Sequence, residues 1–301
     1  CKLHGADLMY SEFISSEGLI RDAMKSRKKL DIFDYERPVG IQIFGGDEEA
    51  MAMSAKIVET VNPDIVDINF GCPVKKVVSK GAGAGVLKDV DLMVRLTKAV
   101  VNSTHLPVTV KTRLGWDVDT INIEEVALRL QDAGIKALTI HARTRSQMYK
   151  GEADWEYISK IKQNPNIEIP IFGNGDIDSP EKALEYRQKY ACDGMMIGRA
   201  AIGYPWIFNE IKHFFETGEK LPEPTISDRL LAVKQHAEWS AEWKGERLGL
   251  IEMRQHYSNY FRGISHFKEF KTKFLQVLSL EEFYQLLEET EVFYKNKIET
   301  L

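Results

Sequence analysis

The stretch Asp-Ile-Asn-Phe-Gly-Cys-Pro-Val-Lys-Lys at 67–76 places one of only three cysteines in a bend, directly after an apolar run. A structural cysteine usually hides within a strand or helix. Gly71 allows close backbone approach and Pro73 stiffens the turn, so Cys72 is presented there. A thiol held this way can be a nucleophile, a metal ligand or a general acid. No second Cys or His stands at ligand spacing, so a metal has no support. An ordinary thiol, with a pKa of about 8.5, is mostly protonated near neutral pH and can give a proton.

Other polar residues fall at the ends of similar apolar runs. Gln42 lies in "GIQIF", and Asn69 closes "IVDINF". Lys111 and Arg113 close "VTVKTR", His141 lies at the end of "ALTIHA", and Arg143 and Arg145 follow it. Asn174, Gly175 and Asp176 belong to "GNGD" after "IPIF", while Gly198 and Arg199 end "GMMIGR". Polar side chains on buried strands cost desolvation energy unless they have partners or a ligand. One such residue is noise, whereas a ring of them on successive strands is a site.

The elements that must position this ring are strands alternating with helices. Seven short β-prone runs recur, at 8–14, 40–44, 65–70, 108–113, 137–142, 169–174 and 194–199. Between them lie segments of helical period such as "DEEAMAMSAKIVETV" and "IEEVALRLQDAG". This alternation predicts βα units, a parallel sheet and an α/β fold. A (β/α)8 TIM barrel is favoured over an open seven-stranded sheet. Its first strand is then expected before Cys1, with "CKLHGAD" as the tail of the first barrel helix and Gly5 ending it. Around "TGEKLPEPTISDR" the composition changes, and helical pattern alone follows. The expected domains are a catalytic barrel over 1–224 and a small all-helical domain over 225–301.

In a parallel barrel the chemistry gathers at the C-terminal strand ends. The glycines after the last two runs suit a phosphate, where backbone N–H groups can approach and a helix N-terminus helps. For Lys111 or His141 alone, an ion pair or a satisfied core histidine is the plainer reading. On adjacent strands, beside phosphate loops, they suit flavin mononucleotide, because a lysine stabilises negative charge on a reduced flavin.

Composition narrows the classes. The chain has 301 residues, of which 44% are hydrophobic, enough for a sizeable core. Cysteines at 1, 72 and 192 make no disulfide framework and fit a reducing compartment. No apolar stretch nears the ~18 residues of a membrane span. With no signal peptide visible either, the expected location is cytoplasmic, with no membrane and no stable protein partner.

The motifs "NFGCP", "VKTR", "IHARTR", "GNGDI" and "IGRAAIG", in this order, resemble those of the tRNA-dihydrouridine synthases. "QMYKGEADW" and "MRQHYSNY" are most similar to the bacterial B-type branch. The likeness runs along nearly the whole chain, and the set is specific where each piece is not. It implies an FMN-binding barrel and a helical domain that helps hold tRNA. NADPH is the implied reductant. The implied reaction converts uridine to 5,6-dihydrouridine, with a hydride passing from flavin N5 to uracil C6 and Cys72 protonating C5. Gln42, Lys111 and His141 are implied at the flavin ring, and Asn174, Gly175, Asp176, Gly198 and Arg199 at the phosphate end. Asn69 holds flavin or uracil, while Arg113, Arg143 and Arg145 face the base or nearby RNA. The Ala-Pro-Met stretch with which the family opens has no match here, which is expected if the chain before Cys1 is missing from this sequence.

Net charge is −5, yet basic runs exist. Between 254 and 273, Arg254, Arg262, Lys268, Lys271 and Lys273 face Glu269 alone, interleaved with Tyr257, Tyr260, Phe261, Phe267 and Phe270. The expectation is that Arg254, Arg262 and Lys271 bind RNA phosphates while the aromatic rings stack on bases. "RDAMKSRKK" and Lys75, Lys76 and Lys80 are further basic candidates. Two alternatives remain: a flavin barrel reducing a small pyrimidine, resembling dihydroorotate dehydrogenase, and an RNA-binding protein on an idle barrel. The modified tRNA position, the choice between NADPH and NADH and the oligomeric state are not legible.

Overall fold

The computed structural model describes residues 1–298. The chain divides into two compact units, Cys1–Gly198 and Arg199–Leu301.

The first unit is built on a parallel sheet. Its strands are β1 (Met9–Tyr10), β2 (Ile14–Ser15), β3 (Val39–Phe44), β4 (Ile65–Asn69), β5 (Val108–Arg113), β6 (Ala137–His141), β7 (Ile171–Asn174) and β8 (Gly194–Met196). The order is β1-β3-β4-β5-β6-β7-β8, with β2 also on β3, and every pairing is parallel. Helices α1 (Ser16–Ile20), α2 (Met24–Arg27), α3 (Glu48–Glu59), α4 (Lys75–Val78), α5 (Val90–Val101), α6 (Ile123–Asp132), α7 (Glu156–Gln163) and α8 (Pro180–Tyr190) lie between the strands. This curled sheet with its surrounding helices has the (β/α)8 barrel architecture that the alternating pattern predicts.

Residue type separates the two faces of the sheet. Ile41, Ile43, Val66, Ile68, Val110, Leu138 and Ile140 are fully buried on one face. The alternate positions carry Gln42, Asp67, Asn69, Thr109, Lys111, Arg113, Thr139 and His141. Register stacks these polar residues side by side. Gln42 pairs with Asp67 and Asp67 with Thr109; Asn69 pairs with Lys111 and Lys111 with Thr139; Arg113 pairs with His141 and His141 with Asn174. A sheet covered on both sides normally buries apolar residues on both. The polar face is therefore the one built for chemistry.

Two expectations need correction. The run at 8–14 forms two short strands instead of one. Between them the Ser11 hydroxyl accepts from the Gln42 backbone N–H at 3.1 Å, interrupting a continuous backbone ladder. "CKLHGAD" forms a turn and no helix tail, although Gly5 does take a left-handed φ of 93°.

The second unit is helical: α9 (Ile207–Thr217), α10 (Ile226–Lys244), α11 (Glu246–Tyr260), α12 (Phe267–Phe274) and α13 (Leu280–Ile298). Thr225 and Asp228 cap α10 reciprocally. The core is aromatic, with Tyr257, Phe274 and Phe283 fully buried and Phe261 stacked on Phe267 at 4.0 Å between ring centres. Arg229 is buried and donates to the carbonyls of Pro224, Tyr260 and Arg262, tying α10 to the end of α11. Among the described residues no helix is long and apolar enough to cross a membrane.

Candidate active site

The bend after β4 positions the thiol. The Asn69 side-chain oxygen accepts from the backbone N–H of Gly71 at 3.0 Å and of Cys72 at 2.9 Å. The Cys72 carbonyl accepts from Ala84 N–H at 3.0 Å. Gly83 must be glycine, because its φ is +54° and a Cβ there would lie 3.0 Å from the Cys72 carbonyl oxygen. Cys72 is 7% exposed, enclosed within the site yet not sealed from it.

Arg113 clamps this bend from β5. Its Nε donates to the Gly71 carbonyl at 2.7 Å, and its Nη1 donates to the carbonyls of Thr144 and Met148. Arg113 is 2% exposed, and burial lowers its pKa to about 10. Two of its three nitrogens thus hold loops. Lys111, two residues earlier, differs. None of the described residues hydrogen-bonds its ammonium, which is acted on only by burial and by charge. Burial, then the Arg113 charge, lowers it to about 8, opposed by Asp67 and Cys72. Both cations feel the Cys72 sulfur.

The loop after β6 is held by an ion pair. Arg143 Nη2 donates to Asp176 at 2.6 Å and to the Gly151 carbonyl at 2.6 Å, while its buried Nη1 has no partner. Burial pushes the Asp176 carboxyl up, but Arg143 and the Ala153 N–H outweigh it and hold it below the usual carboxylate range. Arg145 instead lies over the Trp116 ring at 4.5 Å, with Lys88 also 3.8 Å from that ring. His141 is buried beside Gly175, whose φ of +128° only glycine takes comfortably. Asn174 donates to the Met196 carbonyl at 2.7 Å, linking β7 to β8. Gly198 is open, with nothing within 4 Å of an added Cβ, and it ends the first unit; Arg199 opens the second and is exposed.

Gln42, Asn69, Cys72, Lys111, Arg113, His141, Arg143, Asn174, Gly175 and Asp176 thus share the strand-end side of one unit. An enclosed lysine ammonium without a partner, an orphaned guanidinium nitrogen and a left-handed glycine beside a histidine fit an anionic, hydrogen-bonding ligand such as a flavin. Among the described residues no group of His, Cys, Asp and Glu could hold a metal ion.

Arg254, Arg262 and Lys271 belong to the other unit. Arg262 is exposed, Lys271 is half-buried, and Arg254 has a buried Nε without a partner. The interleaved aromatics are not available to stack on bases, which corrects the expectation. Tyr257, Tyr260, Phe261, Phe267 and Phe270 are all buried in the helical core, because they fall on the helix faces turned toward it. The basic residues between them are what reaches solvent.

Sequence reasoning missed Asp67. It is 1% exposed on β4, and its Oδ2 accepts from the Gln42 amide at 2.6 Å while Oδ1 accepts from the Thr109 hydroxyl. Burial pushes its carboxyl up to about 6 against those two hydrogen bonds. The available signal was an aspartate inside an otherwise apolar run.

A parallel α/β barrel whose strand ends gather a thiol, amides and underpartnered cations has the makings of an enzyme. Comparison with known proteins says which kind. The family described as dihydrouridine synthase (Dus) matches residues 1–298. The chain belongs to this family, which is one of oxidoreductases. It is 40% identical over 274 residues to tRNA-dihydrouridine synthase B of Pseudomonas aeruginosa, covering 91% of this chain and 82% of that one. It is 39% identical to probable tRNA-dihydrouridine synthase 1 of Synechocystis, covering 94% and 78%. Against tRNA-dihydrouridine synthase B of Proteus vulgaris the identity is 38%, covering 98% and 90%. In fold it is similar to histamine dehydrogenase from Rhizobium sp. 4-9, with a TM-score of 0.53 and 10% identity, over 70% of this chain and 42% of that one.

Proposed function

We propose that this protein reduces uridine to 5,6-dihydrouridine in tRNA, with FMN as cofactor and NADPH as reductant. The observation that carries the reading is the bend at Cys72, a thiol fixed by Asn69 and faced by two cations on the polar side of a barrel. The family membership and its tRNA-dihydrouridine synthase relatives support it.

Bound FMN, reduced by NADPH, would supply the hydride for C6 of the uracil. Every other task falls to the chain. Lys111 offers an uncommitted ammonium to negative charge on the flavin ring, and Gln42 and His141 offer hydrogen bonds there. Asn174, Gly175 and Gly198 would form the phosphate end, and Asp176 secures the Arg143 loop beside it. Cys72 delivers the proton to C5. The charges of Lys111 and Arg113 act on the same sulfur. Arg143 and Arg145 lie on the loop after β6 that would meet the base or adjoining RNA. The target base must leave its stack to enter such a site. The second unit presents Arg254, Arg262 and Lys271 to tRNA phosphates.

The test is to incubate full-length protein with NADPH and unmodified tRNA, then look for the two-hydrogen mass gain in uridine by mass spectrometry. Its appearance supports the reading. Its absence from protein shown to carry FMN overturns it and points to a small pyrimidine instead.

A further inference from the structure

Asp67 is a buried carboxylate whose place in the sheet the reaction does not explain. Two neutral donors hold it, one from each neighbouring strand: the Gln42 amide on β3 and the Thr109 hydroxyl on β5. The Gln42 contact continues. Gln42 Oε1 accepts from the Asn69 side-chain nitrogen at 2.6 Å, and Asn69 Oδ1 accepts from the N–H groups of Gly71 and Cys72. The result is one unbroken buried chain from Asp67 to the backbone of Cys72.

We propose that Asp67 is a positioning residue, whose carboxylate sets the direction of the Gln42–Asn69 chain and thereby fixes the turn that presents Cys72. An ionised carboxylate only accepts hydrogen bonds, whereas an amide has one donating and one accepting end. Asp67 therefore obliges Gln42 to turn its NH2 inward and its oxygen toward Asn69. Asn69 must answer with its own NH2. Its oxygen is then left for the two backbone donors of the turn. In the reverse direction the Asn69 NH2 would face two N–H groups, leaving three donors in a buried place without an acceptor, at a penalty of roughly 1–3 kcal/mol for each unsatisfied group. One acceptor at the start removes that alternative at the end. Gln42, Asp67 and Thr109 are also register partners, so a purely structural tie between strands is the competing account. The two differ in what a broken chain disturbs: the tie loosens the sheet, and the chain loosens the turn.

The importance of this turn to the reaction rests on Cys72 being the proton donor, but the positioning itself does not. The experiment is backbone amide hydrogen exchange on the full-length FMN-bound protein, comparing Gly71 and Cys72 with the β6 amides. Asp67→Ala is expected to speed exchange at Gly71 and Cys72 by about tenfold or more while leaving β6 unchanged. Asp67→Asn is expected to restore protection, because its oxygen can still accept from Gln42 while its nitrogen donates to Thr109. Unchanged exchange at the turn, or equal acceleration in β6, would overturn the proposal, as would an Asn variant as loose as Ala. Should Asp67→Ala fail to fold, Gln42→Met cuts the same chain one link later. Acceleration confined to the turn then supports the proposal, and retained protection refutes it. Dihydrouridine formed per NADPH oxidised is the second readout. A loosened turn with an unchanged ratio would uphold the positioning role and count against Cys72 as the acid.

Discussion

The interior of the barrel face and the interior of the helical unit are packed on opposite terms. The helical core is built of aromatic and aliphatic side chains, and its one buried cation among the described residues, Arg229, has its guanidinium bonded to three carbonyls. The barrel face buries Asp67, Arg113 and Arg143 and half-buries Lys111, and burial opposes the charged form of Asp67, Arg113 and Lys111. Apolar replacements would hold a sheet together better. The difference teaches where to look: Lys111, whose ammonium none of the described residues hydrogen-bonds, is the charge on this face left for a ligand to meet.

The sharpest break of the comparison is Cys72→Ala. If the barrel face is kept for chemistry, this substitution should leave the fold and NADPH oxidation intact and lower dihydrouridine formation by about 100-fold or more, the scale of a lost general acid. Single-turnover product measurement on tRNA checks it. An equal yield from the variant would remove Cys72 from the mechanism.

Phe274→Ala should do the reverse in the helical unit. Phe274 is fully buried among Tyr257, Phe261, Phe267 and Phe283. Its loss should cost roughly 3–5 kcal/mol in urea-induced unfolding, through lost burial and a cavity. A cost below that of an ordinary surface substitution would mean this core is not the close-packed one described.

Lys111→Met joins the two tests. The folded-state pKa of about 8 lies below the usual lysine value, so the charged form is disfavoured in the fold. That penalty is fully present below pH 8 and is relieved as pH rises from 8 toward the unfolded value. The cofactor-free variant should therefore be more stable than the parent at pH 7, by up to about 3 kcal/mol, with the advantage shrinking by pH 10. It should also bind FMN more weakly. Loss of stability at pH 7 would show that Lys111 supports the fold.

The same contrast explains what was legible beforehand. Parallel strands covered on both sides read as apolar runs, so β3 to β8 stood out, as did the polar residues that interrupt their ends. Asp67 did not, because one acidic residue in "IVDIN" gives no hint of its two neighbours on other strands. Nor did the split at Ser11, which depends on a single hydroxyl finding the Gln42 N–H. The aromatics of 257–270 were legible but misread. Phe267, Phe270 and Phe274 fall at i, i+3 and i+7, the stripe of a buried helix face, and that spacing outweighs the neighbouring charges.

The smallest expected effect concerns the surface of the helical unit. With its aromatics committed to the core, this segment can contribute only charge to RNA, and charge without stacking is weak and screened. Arg262 is exposed and Lys271 half-buried. Charge reversal at both, Arg262→Glu with Lys271→Glu, should weaken tRNA binding by about tenfold at low salt, with the gap narrowing as salt rises and the salt slope becoming shallower. Filter binding of full-length protein across a salt series measures both. Had base stacking been the main contact, the defect would persist at high salt, because stacking on a ring does not depend on counterions. Unchanged binding at low salt would move the tRNA contact to the other basic runs, at 21–29 or beside the Cys72 turn, and would leave the helical unit without a role in holding RNA by charge.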